Sequence, residues 1–371
     1  MCLAGRTIAK CNARYTAKQR AAIFRVRRLT CDPATETLMG RPTPRNRQQE
    51  SAAMEAFAYA SAPEVRHALP GDPRVRLNAL ERAIYSTIAY RDVFDFAPTL
   101  DEVHRYLHSV RCERAEIAHA IGQAPLSSHL ATDGKFYALS GRAHLLALRP
   151  ERQSMAESFW PLTLRYARYL ANLPHVRMVG LTGSLAAGNV KADCDIDFMV
   201  LTEAGAMWRT RALAIASALI DQKIGGGKLC PNFFLSVAAL SLERRSLYDA
   251  HELSQLLPLF GRESYDELRR ANAWTEAYLP NARGAPSDER GFGRPPLAGF
   301  KAWIEWGSRS VFGRALENFE AGRKIRRFNE TDALKGAWTK STRESHSLRD
   351  HVRQDIETAW RRRLDALPPA D

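Results

Sequence analysis

The chain has 371 residues, room for two or three domains, and its 45% apolar content can build a sizeable core. The longest apolar stretch, Ala212 to Ile220, is too short to span a bilayer and is broken by Ser217, so a membrane-spanning protein is not expected. The net charge of +13 is unevenly spread: residues 1–53 hold eleven Lys and Arg against Asp32, Glu36 and Glu50, which leaves only +5 for everything after them. The six cysteines, Cys2, Cys11, Cys31, Cys112, Cys194 and Cys230, form no CxxC pair. Reduced thiols in a cytoplasmic protein, with no zinc site, are the expectation.

Residues 1–75 read as a disordered basic arm. Large apolar residues there follow no period, and Arg41-Pro42-Thr43-Pro44-Arg45 favours an open chain. A transit peptide, a nucleic-acid tail or a later start at Met54 remain open for this segment. Order begins near Arg76. Leu80 to Val93 reads as an amphipathic helix with Ile84, Ile88 and Val93 inward. Thr99-Leu100-Asp101-Glu102 has the capping-box pattern and starts a second helix, with Val103, Tyr106 and Leu107 as its apolar stripe. A third helix is expected from Cys112 to Ile121, and Leu130 to Leu139 reads as a hairpin turning at Asp133-Gly134. Three short helices and a hairpin are the winged-helix order, which assigns 76–148 to a winged-helix-like domain.

A long helix is expected from Arg149 to Leu173, then a strand from Val176 to Thr182 and another from Asp195 to Leu201. Arg209 to Ile224 reads as a helix with Leu213, Ala216 and Leu219 or Ile220 inward. Gly225-Gly226-Gly227 ends it, as a cap and turn rather than a phosphate loop, since the P-loop spacing is missing. Leu229 to Leu235 reads as a third strand. After Leu240 the pattern is mostly helical, broken by a Pro/Gly-rich loop over Tyr278 to Pro296. Helical segments follow at Leu297 to Phe319 and Ser347 to Leu367, and Trp303 and Trp306 are expected in the core. These elements divide the rest of the chain into 149–260 and a helical region, 261–371.

The informative stretch is Val179-Gly180-Leu181-Thr182-Gly183-Ser184, with Asp195-Ile196-Asp197-Phe198 ten residues later. A glycine at a strand end lets a phosphate approach the backbone, and the Ser184 hydroxyl and the following N–H groups can donate to it. Alternation along a strand gives Asp195 and Asp197 one face and Ile196, Phe198 and Val200 the other. Two acids on one strand face beside a phosphate-binding turn suit metal-assisted phosphoryl transfer. The plainer alternative is a solvated turn with two surface acids.

This pattern resembles the signature of the nucleotidyltransferase superfamily, the DNA-polymerase-beta-like enzymes: a Gly-Ser turn, then two acids separated by one apolar residue. Cys230-Pro231-Asn232 and His251-Glu252-Leu253 extend the likeness to bacterial nucleotidyltransferase-domain proteins of unassigned substrate. The resemblance implies an α/β fold with a small mixed sheet and flanking helices over 149–260. It implies Mg²⁺ (or Mn²⁺) on Asp195 and Asp197, an NTP on Gly183 and Ser184, and transfer of NMP to an acceptor hydroxyl that the sequence does not identify. One departure stands out: where many relatives carry a third acid, the strand Leu229 to Leu235 has none, and Asn232 is nearest. Asn232 can ligate a metal but not take a proton at neutral pH. His251 or Glu252 supplies the base only if its helix folds back over the site. The rival reading is a winged-helix DNA-binding regulator with an inactive or nucleotide-sensing core. DNA binding is not favoured, because Cys112 to Gln123 holds Arg114 against Glu113 and Glu116.

Overall fold

A computed structural model describes residues 66–67, 77–242, 244–286, 290–295, 297–331, 350–365 and 367. The basic arm expected over 1–75, and Met54 with it, lie outside these residues apart from the two-residue strand β1 (Arg66–His67). Every described residue falls within one compact unit, Glu64–Asp371. No helix among them is long and apolar enough to cross a membrane.

Helix α1 (Ala79–Asp92) begins at Asn78, whose side chain accepts from the Glu81 N–H while Glu81 accepts from that of Asn78. This reciprocal cap satisfies two N–H groups that the first turn would leave open. The Thr99–Glu102 box does the same for α2 (Leu100–Arg105), as its spacing requires. With α3 (Arg114–Gly122), these helices bury Ile84, Ile88, Val103, Leu107, Ile117 and Ile121 together. Strands β2 (Leu130–Thr132) and β3 (Tyr137–Leu139) form the expected hairpin. Asp133 Oδ1 accepts from the N–H groups of Lys135 and Phe136, and β1 pairs antiparallel with β2.

Helix α4 (His144–Asn172) starts five residues before its expected Arg149, so one continuous helix crosses the boundary between 148 and 149. It leads into β4 (Val176–Thr182), a short helix α5 (Gly183–Ala186), β5 (Ile196–Thr202), α6 (Met207–Lys223) and β6 (Leu229–Ser236). After α7 (Leu247–Gln255), the expected mostly helical run contains a fourth strand, β7 (Leu257–Phe260). Pro258 disguises it in the sequence. An edge strand tolerates proline, because its outer N–H groups need no partner. The sheet order is β6-β5-β4-β7, with β5 and β6 parallel and the other pairs antiparallel. This small mixed sheet is covered on both faces. Ile196, Phe198 and Val200 pack with Trp160, Leu170 and Trp208 of α4 and α6. Met199, Leu201 and Phe233 pack against Leu253 of α7 and against Tyr265 and Leu268 of α8 (Arg262–Ala271).

Two expected helix faces are turned the other way. Helix α6 buries Met207, Trp208, Thr210 and Ala214, while Leu213, Leu219 and Ile220 are exposed, as is Ala216. Small residues at 214 and 218 let the helix lie close on the sheet, and Asp221 on the same side accepts from the Tyr166 hydroxyl. Beyond the short helix α9 (Thr275–Tyr278) come α10 (Ala298–Ser308) and α11 (Val311–Thr331). Trp303 and Trp306 of α10 are 67% and 76% exposed, not core. The inward face of α10 is polar instead. Lys301 Nζ donates to the carbonyls of Ala171 and Val176, and Glu305 accepts from the His175 N–H at 2.7 Å. Backbone groups at the α4–β4 junction need partners more than the tryptophans need burial. The last helix, α12 (Asp350–Leu364), returns to the start of the fold, where Trp360 and Leu364 pack against the α1–α3 cluster.

Candidate active site

Strand β4 ends at Thr182, and Gly183 turns the chain with a φ of +71°. Its second constraint is space. A Cβ there would stand 2.7 Å from Asp197 Oδ2, so the Asp197 carboxylate lies directly against the glycine backbone. Register brings this about, since Asp197 pairs with Thr182 across β4 and β5. On the other side of β5, Asp197 pairs with Cys230, and a bulge follows at which Met199 faces Phe233 and Asn232 is the extra residue. Pro231 has no N–H for the ladder, which is the local reason for an irregularity there.

These residues share one cavity of about 250 Å³, with Gly183, Ser184, Asp197, Asn232 and Glu252 on its walls. Glu252 comes from α7, which does fold back over the sheet, and it accepts a 3.2 Å hydrogen bond from Thr182 Oγ1. His251, its neighbour, is not at the cavity. Its ring is buried, stacked on Tyr90 at 4.1 Å between centroids, with Nε2 lying 3.1 Å from Nε2 of His108. Burial, then the charges of Arg91 and His108, hold His251 well below the usual histidine range. Burial and Arg91 push His108 down to about 3.

Asp195 stands apart. The strand begins at Ile196, so Asp195 belongs to the preceding loop, is exposed, and is not on the cavity wall. Partial burial of its carboxyl raises its pKa, the Lys228 ammonium opposes the rise, and Asp193 adds to it. Cys194 adjoins the two acids: burial pushes its thiol up, Ser184 and the Lys228 ammonium oppose the rise, and Asp195 and Asp197 add to it. Among the described residues no three His, Cys, Asp or Glu side chains cluster closely enough to hold a metal ion by themselves. The donors present are hard carboxylate oxygens, and Mg²⁺ is commonly held by one or two carboxylates with substrate phosphates and water supplying the rest. With the Asp197 carboxylate against an open glycine backbone, the residues fit that mode.

Several residues that the sequence left unassigned shape the site. Arg149 Nη1 donates to the Gly188 carbonyl and Nη2 to Glu102, with its guanidinium 4.3 Å over the Phe96 ring. Arg152 Nη1 donates to Asn189 Oδ1 and the Asp95 carbonyl, and Asn189 Nδ2 donates to the Phe94 carbonyl. The loop after the Gly-Ser turn is thereby tied to the segment between α1 and α2, and Tyr90, Arg91, Phe94 and Phe96 join the cavity wall. A larger cavity of about 540 Å³, lined by Leu213, Ile304, Leu316 and Phe319, contains none of the expected site residues. No protein-family model matches the chain, and neither a curated protein nor a solved structure does.

Proposed function

We propose that the chain is a Mg²⁺- or Mn²⁺-dependent nucleotidyltransferase that moves an NMP from an NTP to an acceptor hydroxyl. The observation that carries this reading is the Asp197 carboxylate lying against the positive-φ Gly183, in one cavity with Ser184, Asn232 and Glu252. In the reaction, the Gly183 turn and the Ser184 hydroxyl hold the phosphates. Asp197 on the cavity wall, joined by Asp195 from the loop just before Ile196, would hold the metal, which when bound neutralises charge on the triphosphate and the leaving pyrophosphate. Glu252 is the base: its carboxylate takes the proton of the acceptor hydroxyl as that oxygen bonds to the α-phosphorus and the bond to the bridging oxygen of pyrophosphate breaks. His251 is unsuited to this role, being buried behind Tyr90. A cavity of about 250 Å³ has room for the phosphate end of a nucleotide. A whole ligand of drug size fills about 300–1,000 Å³.

The α1–α3 helices and hairpin are read as winged-helix-like, serving as a wall of this site rather than as a DNA reader. Glu113 and Glu116 are exposed on α3, and Arg114 is already paired with Asp101. Neither favours contact with phosphates. The test is incubation of the full chain with each labelled NTP, Mg²⁺ or Mn²⁺ and cell extract, reading pyrophosphate release and label transfer, with Asp197→Asn and Glu252→Gln in parallel. Transfer that needs both residues is expected. Absence of NTP binding and transfer with every nucleotide would overturn the proposal.

A further inference from the structure

Arg91 is the last basic residue of α1 and is only 5% exposed. Its guanidinium lies 4.3 Å over the Tyr106 ring, and Nη1 donates to Gln255 Oε1 at 2.9 Å. Nε is buried with no acceptor, and no Asp or Glu among the described residues forms an ion pair with Arg91. A buried guanidinium whose only bonded partner is a neutral amide is expensive to keep, since neither its charge nor its remaining donors are compensated. Arg149, a buried arginine that does not line the site's cavity, has its carboxylate in Glu102. Arg91 also lines the cavity that holds Ser184 and Asp197. Burial first, and then the Arg91 charge, hold His108 and His251 below the usual histidine range. Among the described residues no carboxylate is paired with Arg91, and the cavity it lines gives an anion access to it. Guanidinium presents a planar fork of donors that matches phosphate oxygens.

We propose that Arg91, oriented by Gln255, is a polyphosphate-binding residue, receiving the terminal phosphates of the triphosphate across the cavity from Asp197. This deepens the nucleotidyltransferase reading and rests on it for the identity of the ligand. The helical N-terminal part of the chain then contributes a substrate-binding side chain to a site whose metal-binding acids lie on the sheet.

The test is calorimetry of the full chain with inorganic tripolyphosphate and no divalent ion. Arg91→Gln is expected to weaken binding at least tenfold, and Arg91→Lys, which keeps charge without the fork, by less. Gln255→Glu guards against an Arg91 variant that fails to fold. It keeps the guanidinium but gives it an internal carboxylate, and should also weaken tripolyphosphate at least tenfold. Asp197→Asn should bind the probe more tightly, because a repelling carboxylate is gone. Equal affinity in wild type, Arg91→Lys and Gln255→Glu, or no binding by wild type, overturns the inference. Mg·ATP affinity unchanged by Asp197→Asn, with the Arg91 and Gln255 results as expected, sinks the metal assignment and leaves the anion site standing.

Discussion

Gly183→Ala separates backbone strain from the geometry of the site. At φ +71° an alanine is held in the left-handed region, which costs about 1–2 kcal/mol relative to glycine. Gly205 has a φ of +70° in the turn after β5, with nothing within 4 Å of an added Cβ, so Gly205→Ala carries the same strain and nothing else. At Gly183 the new Cβ would stand 2.7 Å from Asp197 Oδ2, well inside van der Waals contact, so the carboxylate must swing away. Displacement of about 1 Å in a reacting group is worth roughly 100-fold in rate. Urea unfolding should therefore show similar losses for the two variants. Calorimetry with Mg·ATP, and turnover once an acceptor is in hand, should show about a 100-fold loss for Gly183→Ala and little change for Gly205→Ala. If Gly183→Ala binds Mg·ATP as well as Gly205→Ala does, the Asp197 carboxylate is not where the nucleotide and its metal meet the protein.

Three further outcomes are expected. The double variant Asp195→Asn, Asp197→Asn should fold as stably as wild type, by thermal melting, yet lose Mg·ATP affinity by about 100-fold or more; retained affinity would refute the assigned acids. Asn232→Asp adds a carboxylate on the cavity wall and should shift the preference between Mg²⁺ and Mn²⁺ while changing the rate by less than about tenfold, because an amide never acted as base. A silent wild type beside an active Asn232→Asp enzyme, in NTP turnover across a pH series, would mean that the natural protein is not an enzyme. Stability should fall as the solution is acidified below pH 6.5, since His108 is neutral when folded down to about pH 3 but takes a proton in the unfolded chain near 6.5. Stability is thus full above 6.5 and is lost progressively between about 6.5 and 3, amounting to about 2 kcal/mol at pH 5 from His108 alone. His251 adds to it in the same direction. Urea unfolding at pH 7.5 and 5.0, with His108→Gln as reference, measures this, and an identical acid loss in the variant would contradict it.

The Gly183-Ser184 turn and Asp197 were legible because their signal is local: a strand end, a spacing and an alternation. The alternation also assigned Asp195 to the Asp197 face. The strand itself starts one residue later, at Ile196, so Asp195 lies in the loop just before it, and strand ends are set by neighbours that spacing does not reveal. Glu252 could be noticed in the sequence but not placed, because its approach to Thr182 depends on where α7 crosses the sheet. The fourth strand was hidden by Pro258, which a central strand would exclude and an edge permits. The tryptophans of α10 show the limit of periodicity. It identifies an apolar face, whereas the face turned inward was decided by carbonyls and an N–H at Ala171, Val176 and His175 that only Lys301 and Glu305 could satisfy.

Arg91 did have a signal in the sequence. It follows Ile84 and Ile88 at the spacing of one helix face, so a charged residue continues an apolar stripe on α1. Arg149 stands in the same relation to Ala156, Trp160 and Thr163 on α4, and it too is buried. A charge on an inward stripe must find a partner or make room for one. Arg149 finds Glu102 and the Gly188 carbonyl, and in doing so fixes the loop that follows the Gly-Ser turn. Among the described residues the Arg91 guanidinium donates to Gln255 alone. The two arginines thus differ: Arg149 is neutralised within the protein and holds the loop after the turn, while Arg91 lines the cavity and, in the proposal, meets the anion that enters it. On that proposal α1 and the residues just after it are part of the site rather than a separate module beside it, since Tyr90, Arg91, Phe94 and Phe96 line its cavity.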